Sequence, residues 1–226
     1  MSLYFLLEGK RTEMKVYTAW LRILLPNFKR VKDISKVANR SYYLFNTGGY
    51  PSILTTHLRN AILDINESGR FTHLILCLDS EGQTPESRTL EIDNAILNLD
   101  VKPDDCHIVP LIQNVCIETW FLGNKKVFKR NPSSDVFCKY VNFYDVSSDD
   151  PELMPIGFDF STVAQFHFSY LKEMLKERNM IYTKKKPNGV VEESYLNSLI
   201  GRVKKTDHLQ SFKTLFDFCE ELHHKK

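Results

Sequence analysis

The 226-residue chain has no C-x-x-C or C-x-x-H pair. Its five cysteines, Cys77, Cys106, Cys116, Cys138 and Cys219, are odd in number and widely spaced, which disfavours a zinc site or a disulfide framework. No P-loop sequence occurs, so the chain does not supply an ATPase of its own in the ordinary way. The opening MSLYFLLEGKR lacks a basic n-region, and its apolar run is too short for a signal peptide or a membrane span. A reducing cytoplasm and no membrane association are therefore expected. Charge of one sign is also missing: 30 basic and 28 acidic residues leave a formal net charge of +2. A polyanionic partner must then be met by a local patch rather than by the overall field. Repeats and low-complexity segments are absent as well.

What is there is enough to bury a core, with 42% hydrophobic and 26% charged residues. LYFLLE (3–8) is a short apolar run closed by Gly9. A helix follows, with Thr12 as its expected N-cap and Met14, Tyr17, Leu21, Leu24 and Leu25 near 3.6-residue spacing. SYYLFN (41–46) reads as a second strand. The spacing of Ile53, Leu54, His57, Leu58, Ala61, Ile62 and Ile65 predicts an amphipathic helix that stops near Gly69. THLILCLD (72–79) is a third strand, and 84–99 a helix with Thr84 as cap and Pro85 at its first position. CHIVPLI (106–112) is a fourth strand, followed by a short helix over 115–123.

Strands alternating with helices at this spacing predict βαβ units and a mainly parallel four-stranded sheet covered on both faces. The α/β core is assigned to 1–123. Residues 124–226 are expected to form a helical C-terminal extension that begins with a basic run and a loop-like acidic stretch.

In open parallel sheets, ligands sit beyond the carboxyl ends of the strands. Glu8 ends the first strand, Asp79 and Glu81 end the third, Glu118 follows the fourth, and Glu13 lies on the first helical turn. One strand ending in an acid is ordinarily a turn or a helix cap. Several acids at successive strand ends need a counter-charge, because like charges raise one another's pKa. Oxygen donors without His or Cys suit Mg²⁺ or Mn²⁺. Lys10 and Arg11 can steady phosphate charge. Lys125, Lys126, Lys129 and Arg130 can track a nucleic-acid backbone.

The ordered set Glu8-Gly9, Asp79-x-Glu81 and Glu118-x-Trp120 resembles the TOPRIM domain of topoisomerases, primases and OLD-family nucleases. LLEGKRTEMKVY, IETWFLG and SFKTLFDFCEEL are similar to segments of its OLD-like and RloB-like branch, the small stand-alone proteins of bacterial defence loci. The resemblance implies a TOPRIM-like, Rossmannoid fold and a metal-dependent nuclease cutting DNA or RNA. It implies Glu8, Asp79 and Glu81 as catalytic residues, beside which Lys10 is expected to act on the phosphate charge, and Glu8, Glu13, Asp79, Glu81 and Glu118 as ligands of Mg²⁺ or Mn²⁺. It also implies an AAA/ABC-type ATPase partner, a role in phage defence and a homodimer. The chain departs from the family's Asp-x-Asp at Asp79-Ser80-Glu81, where the second acid is one methylene longer. An inert TOPRIM-like scaffold that regulates a partner is the alternative, and a receiver-like phosphoacceptor at Asp79 ranks behind it.

Overall fold

The computed structural model describes residues 1–224; Lys225 and Lys226, the end of the expected helical extension, lie outside the described residues. Among the described residues, five parallel strands form one sheet flanked by helices: β1 (Ser2–Leu7), β2 (Lys29–Val31), β3 (Ser41–Asn46), β4 (His73–Asp79) and β5 (His107–Gln113). Their spatial order is β2-β3-β1-β4-β5. The expected sheet had four strands. The missed one, β2, is three residues long with two of them basic, and it lies at the sheet edge, where neither apolar alternation nor an apolar run is required. No described helix is long and apolar enough to cross a membrane.

The chain clusters into two compact units. Among the described residues, the first comprises 1–78, 84–112 and 218–224; the second comprises 79–83 and 113–217.

In the first unit, β1 is buried at all six positions. That is the consequence of helices on both sides of it. Phe5 meets Tyr17 of α1 (Thr12–Leu24) at 6.1 Å between ring centroids. Tyr4 and Leu6 belong instead to a core with Leu74 and Leu76, with Leu58, Ala61, Ile62 and Ile65 of α2 (Leu58–Ser68), and with Ile92 of α3 (Pro85–Leu97). Strand side chains alternate between faces, so one continuous apolar run serves two helical layers.

The local signals act as expected at two helix ends. Gly69 caps α2 in the left-handed conformation (φ 58°). Thr84 caps α3, its hydroxyl accepting from the Ser87 N–H at 3.2 Å. At α1 the expectation fails: Thr12 is already the first helical residue, and Arg11 precedes it with no side-chain cap.

The second unit holds α4 (Ile117–Leu122), α5 (Asp135–Phe143), α6 (Val163–Lys176) and α7 (Glu193–Val203), while α8 (Gln210–His224) has residues in both units. α5 lies between the basic run and the acidic stretch, where no helix was expected, and is capped by Ser134, whose hydroxyl accepts from the Phe137 N–H. Its buried positions, Phe137 and Tyr140, stack on α6: Phe137–Tyr170 at 5.7 Å and Tyr140–Phe166 at 5.3 Å. Edge-on aromatic pairs of this kind add to the area they bury.

Every residue of α4 is buried. A short polar network fixes it. The Trp120 indole donates to Ser211 Oγ at 2.7 Å, and that hydroxyl donates to Glu152 at 2.5 Å. On the other side, His167 Nδ1 pairs with Thr119 Oγ1 at 2.8 Å and Nε2 faces the Met154 carbonyl at 3.0 Å. The carbonyl can only accept, so Nε2 carries the proton and Nδ1 accepts from Thr119.

Burial acts on these two titratable groups in opposite directions. It pushes Glu152 up to about 7 and pulls His167 down to about 4. Between about pH 4.5 and 7 the folded chain keeps a proton on Glu152 that the unfolded chain has lost, so this group makes stability fall as pH rises. Between about pH 6.5 and 4 the unfolded chain gains a proton at His167 that the folded one refuses, so stability falls as pH drops. Over their shared range the two offset each other. Urea midpoints measured against pH are therefore predicted to rise with pH in Glu152→Gln and to fall with pH in His167→Gln. The expected span is on the order of 2 kcal/mol each. Parallel profiles for the two variants would contradict these assignments.

Candidate functional site

The carboxyl tip of β1 is built by backbone bonds. β1 lies between β3 and β4 in parallel register, with Leu7 opposite Asn46 and Cys77. One residue on, the Glu8 N–H donates to the Cys77 carbonyl at 3.1 Å. On its other side, the Glu8 carbonyl accepts from Gly48 N–H at 3.1 Å and Thr47 Oγ1 at 3.2 Å. The Glu8 main chain is thus held on both sides, and its residue is 9% exposed. β4 continues for two residues past Cys77 and ends at Asp79. Asp79 is thus the last residue of β4, whereas Glu8 follows the last residue of β1 and stands level with Leu78, one register position before Asp79.

Gly9 has a steric cause. A Cβ built there would lie 1.9–2.1 Å from the three carboxyl atoms of Glu13, which is itself buried in the first turn of α1. Glu8-Gly9 and Glu13 form one arrangement: the glycine leaves room for the second acid. Lys10 is exposed, and its side chain lies over Gly48, whose φ is +91°.

The other acids occupy the second unit. Ser80 N–H donates to the Gln113 carbonyl and Glu81 N–H to that of Val115, both at 2.9 Å, and Gln83 N–H closes a turn on Ser80 at 3.0 Å. Glu81 takes the left-handed conformation, φ 51°. The left-handed freedom of this turn falls at a non-glycine position, where it costs about 1 kcal/mol or more. Glu81 is exposed. Glu118, in the first turn of α4, is 1% exposed and accepts from the Tyr182 hydroxyl at 2.9 Å. The Cys116 thiol is pushed well above its ordinary pKa by burial, then by the charges of Glu118 and Asp79. Both carboxylates accordingly act on the same buried sulfur. Cys116 and Tyr182 were not legible as part of this site, since nothing in the spacing of either marks it.

The donor types suit Mg²⁺ or Mn²⁺. Among the described residues, no three His, Cys, Asp or Glu side chains come together in a group that could hold a metal ion. The acids thus do not make a preformed cage; Mg²⁺ is commonly held by one or two carboxylates, with water and substrate phosphate filling the remaining positions. The expected nucleic-acid contacts also separate. Lys125 and Lys126 are exposed and line one cleft of the second unit. Lys129 instead pairs with Glu177 at 2.7 Å; this bond, with the Ser133 and Ser134 N–H groups, holds the Glu177 carboxyl down at about 2. Arg130 is exposed.

Comparison with protein-family models, with curated proteins and with solved structures finds no match for this chain.

Two glycines at the strand tips should respond oppositely to added bulk. Gly9→Ala forces the Glu13 carboxyl out of its buried place and is expected to cost about 1–3 kcal/mol in chemical denaturation. Gly82, with nothing within 4 Å of a built Cβ, is expected to accept alanine at no cost or with a gain of about 0.4–1 kcal/mol. Equal effects at the two positions would show that Glu13 does not depend on Gly9.

Proposed function

We propose that the chain is a TOPRIM-like, metal-dependent nuclease that hydrolyses phosphodiester bonds of DNA or RNA, working with an AAA/ABC-type ATPase in defence against phage. The single observation that carries this reading is the parallel neighbourhood of β1 and β4, with Glu8 directly after the first and Asp79 the last residue of the second. In a parallel sheet such tips are where ligands are met. Glu8 and Asp79 would hold Mg²⁺ or Mn²⁺, with Glu81, Glu13 and Glu118 completing the acidic surroundings. A bound ion supplies charge neutralisation at the phosphoryl group. The chain's own contribution is to keep two carboxylates on fixed backbone and to offer Lys10, exposed beside Gly48, to a phosphate oxygen.

A second reading is an inert TOPRIM-like module that regulates its partner. It is favoured by the absence, among the described residues, of a three-ligand group.

Cleavage of labelled single- and double-stranded DNA and RNA, with Mg²⁺ or Mn²⁺ and with the ATPase present, separates the two. Glu8→Gln and Asp79→Asn are expected to abolish cleavage while near-ultraviolet circular dichroism stays unchanged. Glu81→Gln is expected to slow it about tenfold, equivalent to about 1.4 kcal/mol. Equal activity in all variants would expose a contaminating nuclease. A well-folded chain without activity under every condition would leave the regulatory module.

A further inference from the structure

The second unit contains a cleft of about 330 Å³ whose lining is cationic: Lys125 and Lys126 from the segment after α4, and Arg202 and Lys205 from the end of α7, with Ser198 and Thr206 beside them. No acidic side chain lines it among the described residues. We propose that this cleft is a binding site for the phosphate group of a nucleotide or nucleic-acid strand. The proposal stands independently of any chemistry at the strand tips.

Arg202 is the observation that distinguishes the cleft from a set of surface lysines. It is only 4% exposed. Its Nη1 donates to the carbonyls of Gly123 and Val146 at 3.1 and 2.8 Å, and its Nη2 donates to the Asp149 carbonyl at 2.6 Å and to His208 Nδ1 at 2.8 Å. All four partners are uncharged acceptors, since His208 must be neutral at Nδ1 to accept. Among the described residues, the buried guanidinium is thereby oriented without a carboxylate hydrogen-bond partner, and its Nε has no hydrogen-bond partner. Burying a cation in this way is costly unless an anion compensates.

The neighbouring charge increases the demand. Lys125 is held below its ordinary pKa by partial burial and then by the Arg202 charge, which places two like charges in mutual repulsion at the cleft. Asp145, Asp149 and Asp150 act favourably on Arg202, though none of them lines the cleft. A bound phosphate would accept from Lys125, Lys126 and Lys205, relieve their repulsion and sit beside Ser198 and Thr206.

The end of α7 offers a simpler explanation for part of this cluster. Cations in the last turn of a helix complement its dipole. Such a role affects stability and gives no ligand affinity, so binding decides between the two.

Fluorescence anisotropy of a labelled single-stranded DNA and of a labelled ATP analogue, in EDTA so that no metal chemistry enters, tests the site. Lys126→Glu/Lys205→Glu leaves Arg202 and its bonds in place. Lys184→Glu/Lys185→Glu makes the same charge change outside the cleft. The first pair is expected to weaken binding at least tenfold and to lower the salt dependence by about two phosphate contacts. The second pair should bind nearly as wild type does. Binding of the ATP analogue, with or without DNA, identifies a terminal phosphate group as a ligand, whereas binding of DNA alone identifies the strand backbone. The proposal is overturned if wild type binds neither probe, if the two pairs lose affinity equally, or if neither pair loses it.

Discussion

The pairing of β1 with β4 is the constraint from which the remaining geometry follows. Leu3 through Leu7 match His73 through Cys77 without interruption, and the Glu8 N–H extends the ladder by one further bond to Cys77. A shift of one residue would turn Phe5 away from Tyr17 and move Tyr4 and Leu6 out of the core that they share with α2. With apolar side chains demanded on both faces, register is fixed by burial as well as by hydrogen bonds. Acids cannot be accommodated inside such a strand, and they stand where it ends.

Each strand tip then has its own support. Glu8 is gripped by backbone groups from β4 and from the turn after β3, while Gly9 yields space to Glu13. Asp79 leads into a turn bonded to the last residue of β5 and to Val115 beyond it, with Glu81 in a left-handed conformation that the turn imposes. Glu118 depends on α4, and α4 depends on Ser211, Glu152, Thr119 and His167. Hydrogen bonds among buried polar groups hold a helix of six residues that is too short to persist by itself. One acid is therefore supported by β-ladder bonds and another by a side-chain network.

Much of the framework was legible because it rests on strong local signals. Continuous apolar runs at 3–8 and 72–79, the Gly69 stop and the Thr84-Pro85 start all describe single elements, and each element formed where its signal lay. The adjacency of the first and third expected strands was also inferable, since acids at both tips suggested a shared edge. Less local features were not legible. β2 is stabilised by its neighbour β3 rather than by its own residues. α5 needed its cap at Ser134 weighed against the polar residues around it. Tyr182, which donates to Glu118, and the Gly123, Val146 and Asp149 carbonyls that hold Arg202 lie dozens of residues away, and no spacing rule connects them. The basic run after α4 looked continuous in sequence. In space it divides, with Lys125 and Lys126 facing a cleft and Lys129 taken up by Glu177.

The central claim, that Glu8 and Asp79 together hold a divalent ion, is most directly tested by titrating Mn²⁺ into the intact chain and following the electron paramagnetic resonance signal of the free ion. Saturable binding is expected, weakened by at least about tenfold in Glu8→Gln and in Asp79→Asn, a loss of about 1.4 kcal/mol or more. Identical binding curves for wild type and both variants, or no saturable binding in any of them, would contradict it.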